Sequence, residues 1–136
     1  MKDTKMTKLN TFLMFEGNAN EAIQTYVDLI PGTVVTSMVQ YETGPSNGQV
    51  QKAHVSIGGQ EVIFIDSPIE HDFTFSNSTS FFLTCDASEQ IETLSEGLSQ
   101  NGSVLMPLAE YPFAEKFTWI NDKFGVSWQL IFNEKK

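Results

Sequence analysis

Two stretches of this chain begin alike, and that likeness restricts the fold more than any single motif. Leu9-Asn10-Thr11-Phe12-Leu13-Met14-Phe15 runs into Asn18-Ala19-Asn20-Glu21, and Ser80-Phe81-Phe82-Leu83-Thr84 runs into Asp86-Ala87-Ser88-Glu89. Each reads as an apolar strand, then an Asx residue placed to cap a helix, then a Glu three positions on that closes a capping box. The residues Asn18 and Asp86 stand 68 positions apart, half of the 136-residue chain. A duplicated strand–helix unit predicts two related half-sheets.

The segments between these openings repeat as well. Ala22, Ile23, Tyr26, Leu29 and Ile30 follow Asn18 at helical spacing, and Pro31-Gly32 ends that helix. Residues 33–41 are rich in β-branched side chains. Ala53-His54-Val55-Ser56-Ile57 alternates, Gly58-Gly59 marks a hairpin, and Val62-Ile63-Phe64-Ile65 is the return strand. In the second half, a helix from Asp86 carries Ile91, Leu94 and Leu98 and stops at Asn101-Gly102. Val104-Leu105-Met106 reads as a short strand interrupted by Pro107. A last hairpin joins residues 117–120 to 126–132 over Asn121-Asp122-Lys123-Phe124-Gly125. The predicted class is α+β, with the order βαβββ written twice. A loose N-terminal segment covers 1–7, and one domain covers 8–136 as repeats 8–66 and 79–132 joined by a linker at 67–78.

Composition narrows the partners. Apolar residues make up 40% of the chain, with 11 Phe, enough to fill a core without staples. A formal charge of −9 argues against nucleic acid and anionic membrane, both polyanions. No apolar run approaches the ~18 residues of a membrane span. The single cysteine, Cys85, has no partner for an internal disulfide. A soluble, cytoplasmic protein is expected.

Leu13-Met14-Phe15-Glu16-Gly17-Asn18-Ala19, Gly58-Gly59-Gln60, Ser80-Phe81-Phe82-Leu83-Thr84-Cys85-Asp86 and the block Trp119 to Gln129 resemble the signature of PhnB-like proteins. That family carries the label 3-demethylubiquinone-9 3-methyltransferase. It belongs to the vicinal oxygen chelate superfamily, with glyoxalase I, bleomycin-resistance proteins and extradiol dioxygenases. The resemblance runs from about Leu9 to Phe132. It implies paired βαβββ modules, cupped mixed sheets around a cavity, and a homodimer.

It also implies where a divalent metal would sit in the superfamily's enzymes. Transferred by strand, those positions fall near Thr11, Ile63 or Phe64, Ser80 and Gln129, and none is His, Asp, Glu or Cys. A neutral amide and two hydroxyls are poor ligands for a divalent cation, so neither a metal nor another cofactor is expected. A methyltransferase of the common type needs a glycine-rich turn after a strand. Residues 16–20 offer one glycine and are better explained as a strand-to-helix turn.

The remaining candidates are weighed one by one. His54 lies on the polar side of its strand with Ser56, as a general base, a pocket donor or simply a half-exposed strand residue. His71, between Glu70 and Asp72, reads as a solvated loop residue. Cys85, next to a helix start, is either a reactive thiol or a buried strand end. Ser127, Gln129 and Ile131 share one strand face, mixed as a ligand cavity would be. The expected partner is thus a small molecule, with Thr11, His54, Ser80, Trp119 and Gln129 as pocket candidates. The competing expectation is an enzyme acting on a small aromatic or quinone-like substrate.

Overall fold

The computed structural model describes residues 7–134, so the expected loose segment at 1–7 falls outside it apart from Thr7. The elements follow the duplicated order: β1 (Thr11–Phe15), α1 (Ala19–Leu29), β2 (Val34–Gln40), β3 (Val50–Ile57) and β4 (Gln60–Asp66), then β5 (Phe81–Thr84), α2 (Ser88–Ser99), β6 (Ser103–Tyr111), β7 (Ala114–Asn121) and β8 (Ser127–Phe132). They form two compact units, one ending at Glu70 and the other starting at His71.

The first unit holds a mixed sheet in the order β1-β4-β3-β2, with β1 parallel to β4 and the other pairs antiparallel. Alternation assigns its faces. Leu13, Phe15, Ala53, Val55, Ile57, Val62 and Phe64 are buried, and Tyr26 of α1 meets Phe64 with ring centroids 6.1 Å apart. Phe15 stacks on the same Phe64 ring. This is the helix side, and burying a ring such as Phe64 contributes about 2–3 kcal/mol. The Gly58-Gly59 turn has both residues at positive φ, 58° and 85°, the conformation a two-residue hairpin requires.

The second unit repeats the plan as β5-β8-β7-β6, with β5 parallel to β8. Trp128, Leu130, Ile120 and Thr118 are fully buried on the helix side. Lys116, on the same side of β7, bonds Ser88 and Glu92 of α2. Phe81 packs on Trp128 at 4.9 Å.

Three local expectations are corrected. Asn18 precedes α1 but makes no side-chain cap bond. The cap comes instead from Asp66 at the end of β4, whose Oδ1 accepts from the backbone N–H of Gly17 (2.7 Å) and Ala19 (3.0 Å). At α2 the cap position belongs to Ala87, not Asp86, and Gln90, not Glu89, reaches back, its Oε1 accepting from Asp86 N at 2.8 Å. Pro107 does not interrupt β6. Met106 pairs with Trp119 and Ala109 with Phe117, so the extra residue is absorbed as a bulge on an edge strand, where a missing N–H costs no ladder bond.

Candidate functional site

In each unit the helix covers one face of the sheet, and the residues of the opposite face hold the candidate chemistry. Register places those residues in rows across the strands. In the first sheet the row is Phe12, Ile63, His54 and Ser37. In the second it is Phe82, Gln129, Trp119 and Met106. Residues directly opposite on neighbouring strands share a face and touch, so each row is a set of adjoining side chains. Both begin with a phenylalanine that is more than half exposed, Phe12 at 55% and Phe82 at 58%.

The second row holds two of the sequence candidates, Gln129 and Trp119, and a third, Ser80, joins Trp119 through Ser127. Ser80 Oγ lies 2.6 Å from Ser127 Oγ, and Trp119 Nε1 donates to the same Ser127 oxygen at 2.8 Å. Ser127, only 2% exposed, therefore fixes the orientation of the Trp119 ring. Beside it, Gln129 is half-buried between Phe82 and Trp119, and its side chain makes no hydrogen bond among the described residues. A half-buried amide without a protein partner is an open donor and acceptor.

The first sheet separates its two candidates. Thr11 is in phase with Leu13 and Phe15, on the helix side, where its hydroxyl accepts from Gln60 Nε2 at 3.4 Å. His54 lies on the opposite face. Its Nδ1 is hydrogen-bonded to Glu61 Oε2, and Lys8 Nζ donates to the other oxygen of Glu61 at 3.1 Å. These bonds, His54's first and Lys8's second, hold the Glu61 carboxyl below its ordinary value. On β4, Ile63 lies on the His54 face, and Phe64 is fully buried against α1.

Sequence reasoning missed Glu61, Ser127 as the hub of its network, and two buried aspartates. Asp66 accepts three backbone N–H groups, the third from Val50 at 2.9 Å. Asp122 accepts from the backbone of Phe124 and Val126 and, at 2.9 Å, from Trp128 Nε1. Both carboxylates are spent on structure. Cys85 is buried at the end of β5, and burial, then the charge of Asp86, pushes its thiol up to about 11; it is the inert strand-end residue. His71 stacks on Phe73 at 4.8 Å. Among the described residues no group of three His, Cys, Asp or Glu side chains is placed to hold a metal ion, and no helix is long and apolar enough to cross a membrane.

Comparison with known proteins places this geometry in a lineage. A family model described as 3-demethylubiquinone-9 3-methyltransferase matches residues 7–131. The PhnB protein from Bacillus cereus is 46% identical, with a TM-score of 0.89 over 93% of this chain and 100% of that one. Protein YjdN of Escherichia coli K12 is 24% identical over 90% of this chain and 92% of its own length. A glyoxylase/bleomycin resistance protein/dioxygenase domain from Frankia shares the fold, with a TM-score of 0.66 at 11% identity over 95% and 93% of the two chains.

Proposed function

We propose a small-molecule-binding function, starting from the premise that this chain belongs to the 3-demethylubiquinone-9 3-methyltransferase family and has the glyoxalase/bleomycin-resistance fold. The observation that carries the reading is Gln129. Its amide lacks a protein partner among the described residues, is half-buried, and is flanked by an exposed Phe82 and an oriented Trp119. Two aromatic walls and one directed amide suit a small planar molecule with a carbonyl or hydroxyl group. The ring supplies stacking area, and the amide selects the polar edge.

No metal takes part in this reading. The family resemblance puts the superfamily's metal positions near Thr11, Ile63 or Phe64, Ser80 and Gln129. Thr11 is on the helix side, Ile63 is aliphatic, and Ser80 is bonded to Ser127. None of these side chains is a good ligand for a divalent cation. The working form is a homodimer, with no nucleic acid or membrane partner and a cytoplasmic location.

Titration calorimetry tests the reading with the quinone headgroup of ubiquinone as probe. The wild-type protein is expected to bind it, and Gln129→Leu to bind about tenfold more weakly, the loss of roughly one hydrogen bond to a half-buried group. Equal affinity in the variant refutes the role of Gln129. Saturable binding of S-adenosylmethionine refutes pure sequestration and turns the reading toward methyl transfer. Stoichiometric zinc, manganese or iron in the purified protein refutes the metal-free site, and light scattering at the monomer mass of 15.2 kDa refutes the dimer.

A further inference from the structure

We propose that His54, oriented by Glu61, is a proton acceptor for a small apolar ligand that carries a weakly acidic hydroxyl and rests on the Phe12–Ile63 row of the first sheet. The inference stands on that sheet alone and does not rest on the reading of Gln129.

The hairpin sets the geometry. With two glycines as the whole turn, Ile57 pairs with Gln60 and Ser56 with Glu61. His54 and Glu61 are therefore diagonal neighbours on one face, within reach of long side chains. His54 Nδ1 meets Glu61 Oε2, while Lys8 occupies the second carboxylate oxygen. An ionised carboxylate only accepts hydrogen bonds, so the proton of this bond sits on Nδ1. In the neutral ring the lone pair is then on Nε2. That nitrogen has no hydrogen-bond partner among the described residues, and it is not among their sealed, unsatisfied polar atoms. It is left as the acceptor of the ring, with the tautomer chosen by Glu61.

The surroundings favour an apolar ligand body. Phe12, 55% exposed, and Ile63 lie in the same row as His54. Ser37 follows on β2. The charged groups facing His54 are Glu61 from β4, Lys8 from the segment before β1, and Lys52 two positions along β3. Neither Phe12 and Met14 of β1 nor Ser37 of β2 titrates. Lys8 and Glu61 offset one another, which leaves Lys52 as the other charged side chain of this face. In the transfer the ligand O–H bond breaks, its electron pair stays on oxygen, and an N–H bond forms at Nε2. The imidazolium is stabilised by Glu61 on one side and the new oxyanion on the other.

Two measurements decide it. In the ¹⁵N-labelled protein, the neutral His54 ring is expected as the Nδ1–H tautomer. Glu61→Ala should release it to the Nε2–H form, and Glu61→Gln, whose carbonyl can still accept, should retain it in part. In the second, 4-nitrophenol is titrated at a pH where the free probe is mostly protonated. A saturable rise in phenolate absorbance is expected with wild type and none with His54→Phe, whose fold is checked by circular dichroism. An Nε2–H tautomer in the wild type, a rise that survives in His54→Phe, or no rise with wild type overturns the proposal.

Discussion

Replacing Asp66 by alanine should destabilise the first unit by about 3 kcal/mol, and the number comes from its three backbone bonds. Gly17 N, Ala19 N and Val50 N donate at 2.7, 3.0 and 2.9 Å. Gly17 is exposed, so water replaces the carboxylate there at little cost. Ala19 and Val50 are fully buried. Each of their N–H groups, left without a partner, costs about 1–3 kcal/mol, or about 2–6 kcal/mol for the two, and partial relaxation keeps the sum in the lower half of that range, at about 3 kcal/mol. Against a total stability of about 5–15 kcal/mol this is a large fraction. Asp66→Asn separates the contributions. Its carbonyl can keep Gly17 and Ala19, but its NH₂ confronts the Val50 N–H, so about 1–2 kcal/mol is lost. Urea unfolding followed by far-ultraviolet ellipticity gives both values from the shift in midpoint at constant slope. A loss below about 1 kcal/mol for alanine, or a larger loss for asparagine than for alanine, refutes the assignment of Asp66 as the cap of α1 and the tie between β4 and β3.

Two further outcomes follow from packing and burial. Gly102→Ala would place a Cβ 2.1 Å from the backbone oxygen of Asn121, so the β6–β7 backbone must move; a drop of several degrees in melting temperature is expected, and an unchanged value contradicts the close approach. The Cys85 thiol, raised from 9.0 to about 11, should resist iodoacetamide at pH 8 in the native protein and react at once in urea. Because the folded value is the higher one, the stability it contributes is complete below pH 9 and lost as pH rises through 11; native alkylation as fast as in the unfolded chain refutes the burial.

The fold was legible where one residue decides a local structure. Gly58-Gly59 and Gly125 marked the two hairpins, the β-branched run at 33–41 marked β2, and the apolar spacing of both helices survives as buried Ile23, Tyr26, Ile91, Leu94 and Leu98. The helix caps were not legible, for a physical reason. Asn18 is the right residue type in the right place but makes no cap bond, and the first helical N–H, that of Ala19, is taken by the carboxylate of Asp66 from 47 positions away. Capping rules read neighbours along the chain, while this cap crosses the sheet. Pro107 misled in the same way: proline excludes a central strand, and whether a strand is central depends on pairing that local sequence does not carry.

The candidate sites divide along the same line. Glu61 could have been found, because a two-residue turn after Ile57 makes every cross-strand pair of that hairpin calculable, and the calculation puts Glu61 diagonal to His54. Thr11 could also have been excluded from the His54 face, since it alternates in phase with Leu13 and Phe15. Ser127 was visible on the mixed face of β8 but not as the acceptor of the Trp119 N–H, because that bond depends on a ring rotamer. The duplication therefore carries more than a scaffold. It sets two rows of side chains, each on the face its helix leaves uncovered and each opening on an exposed phenylalanine. One row has an imidazole oriented by a carboxylate, the other an amide unpartnered among the described residues. The two units thus share a strand order and differ in the chemistry of a single row.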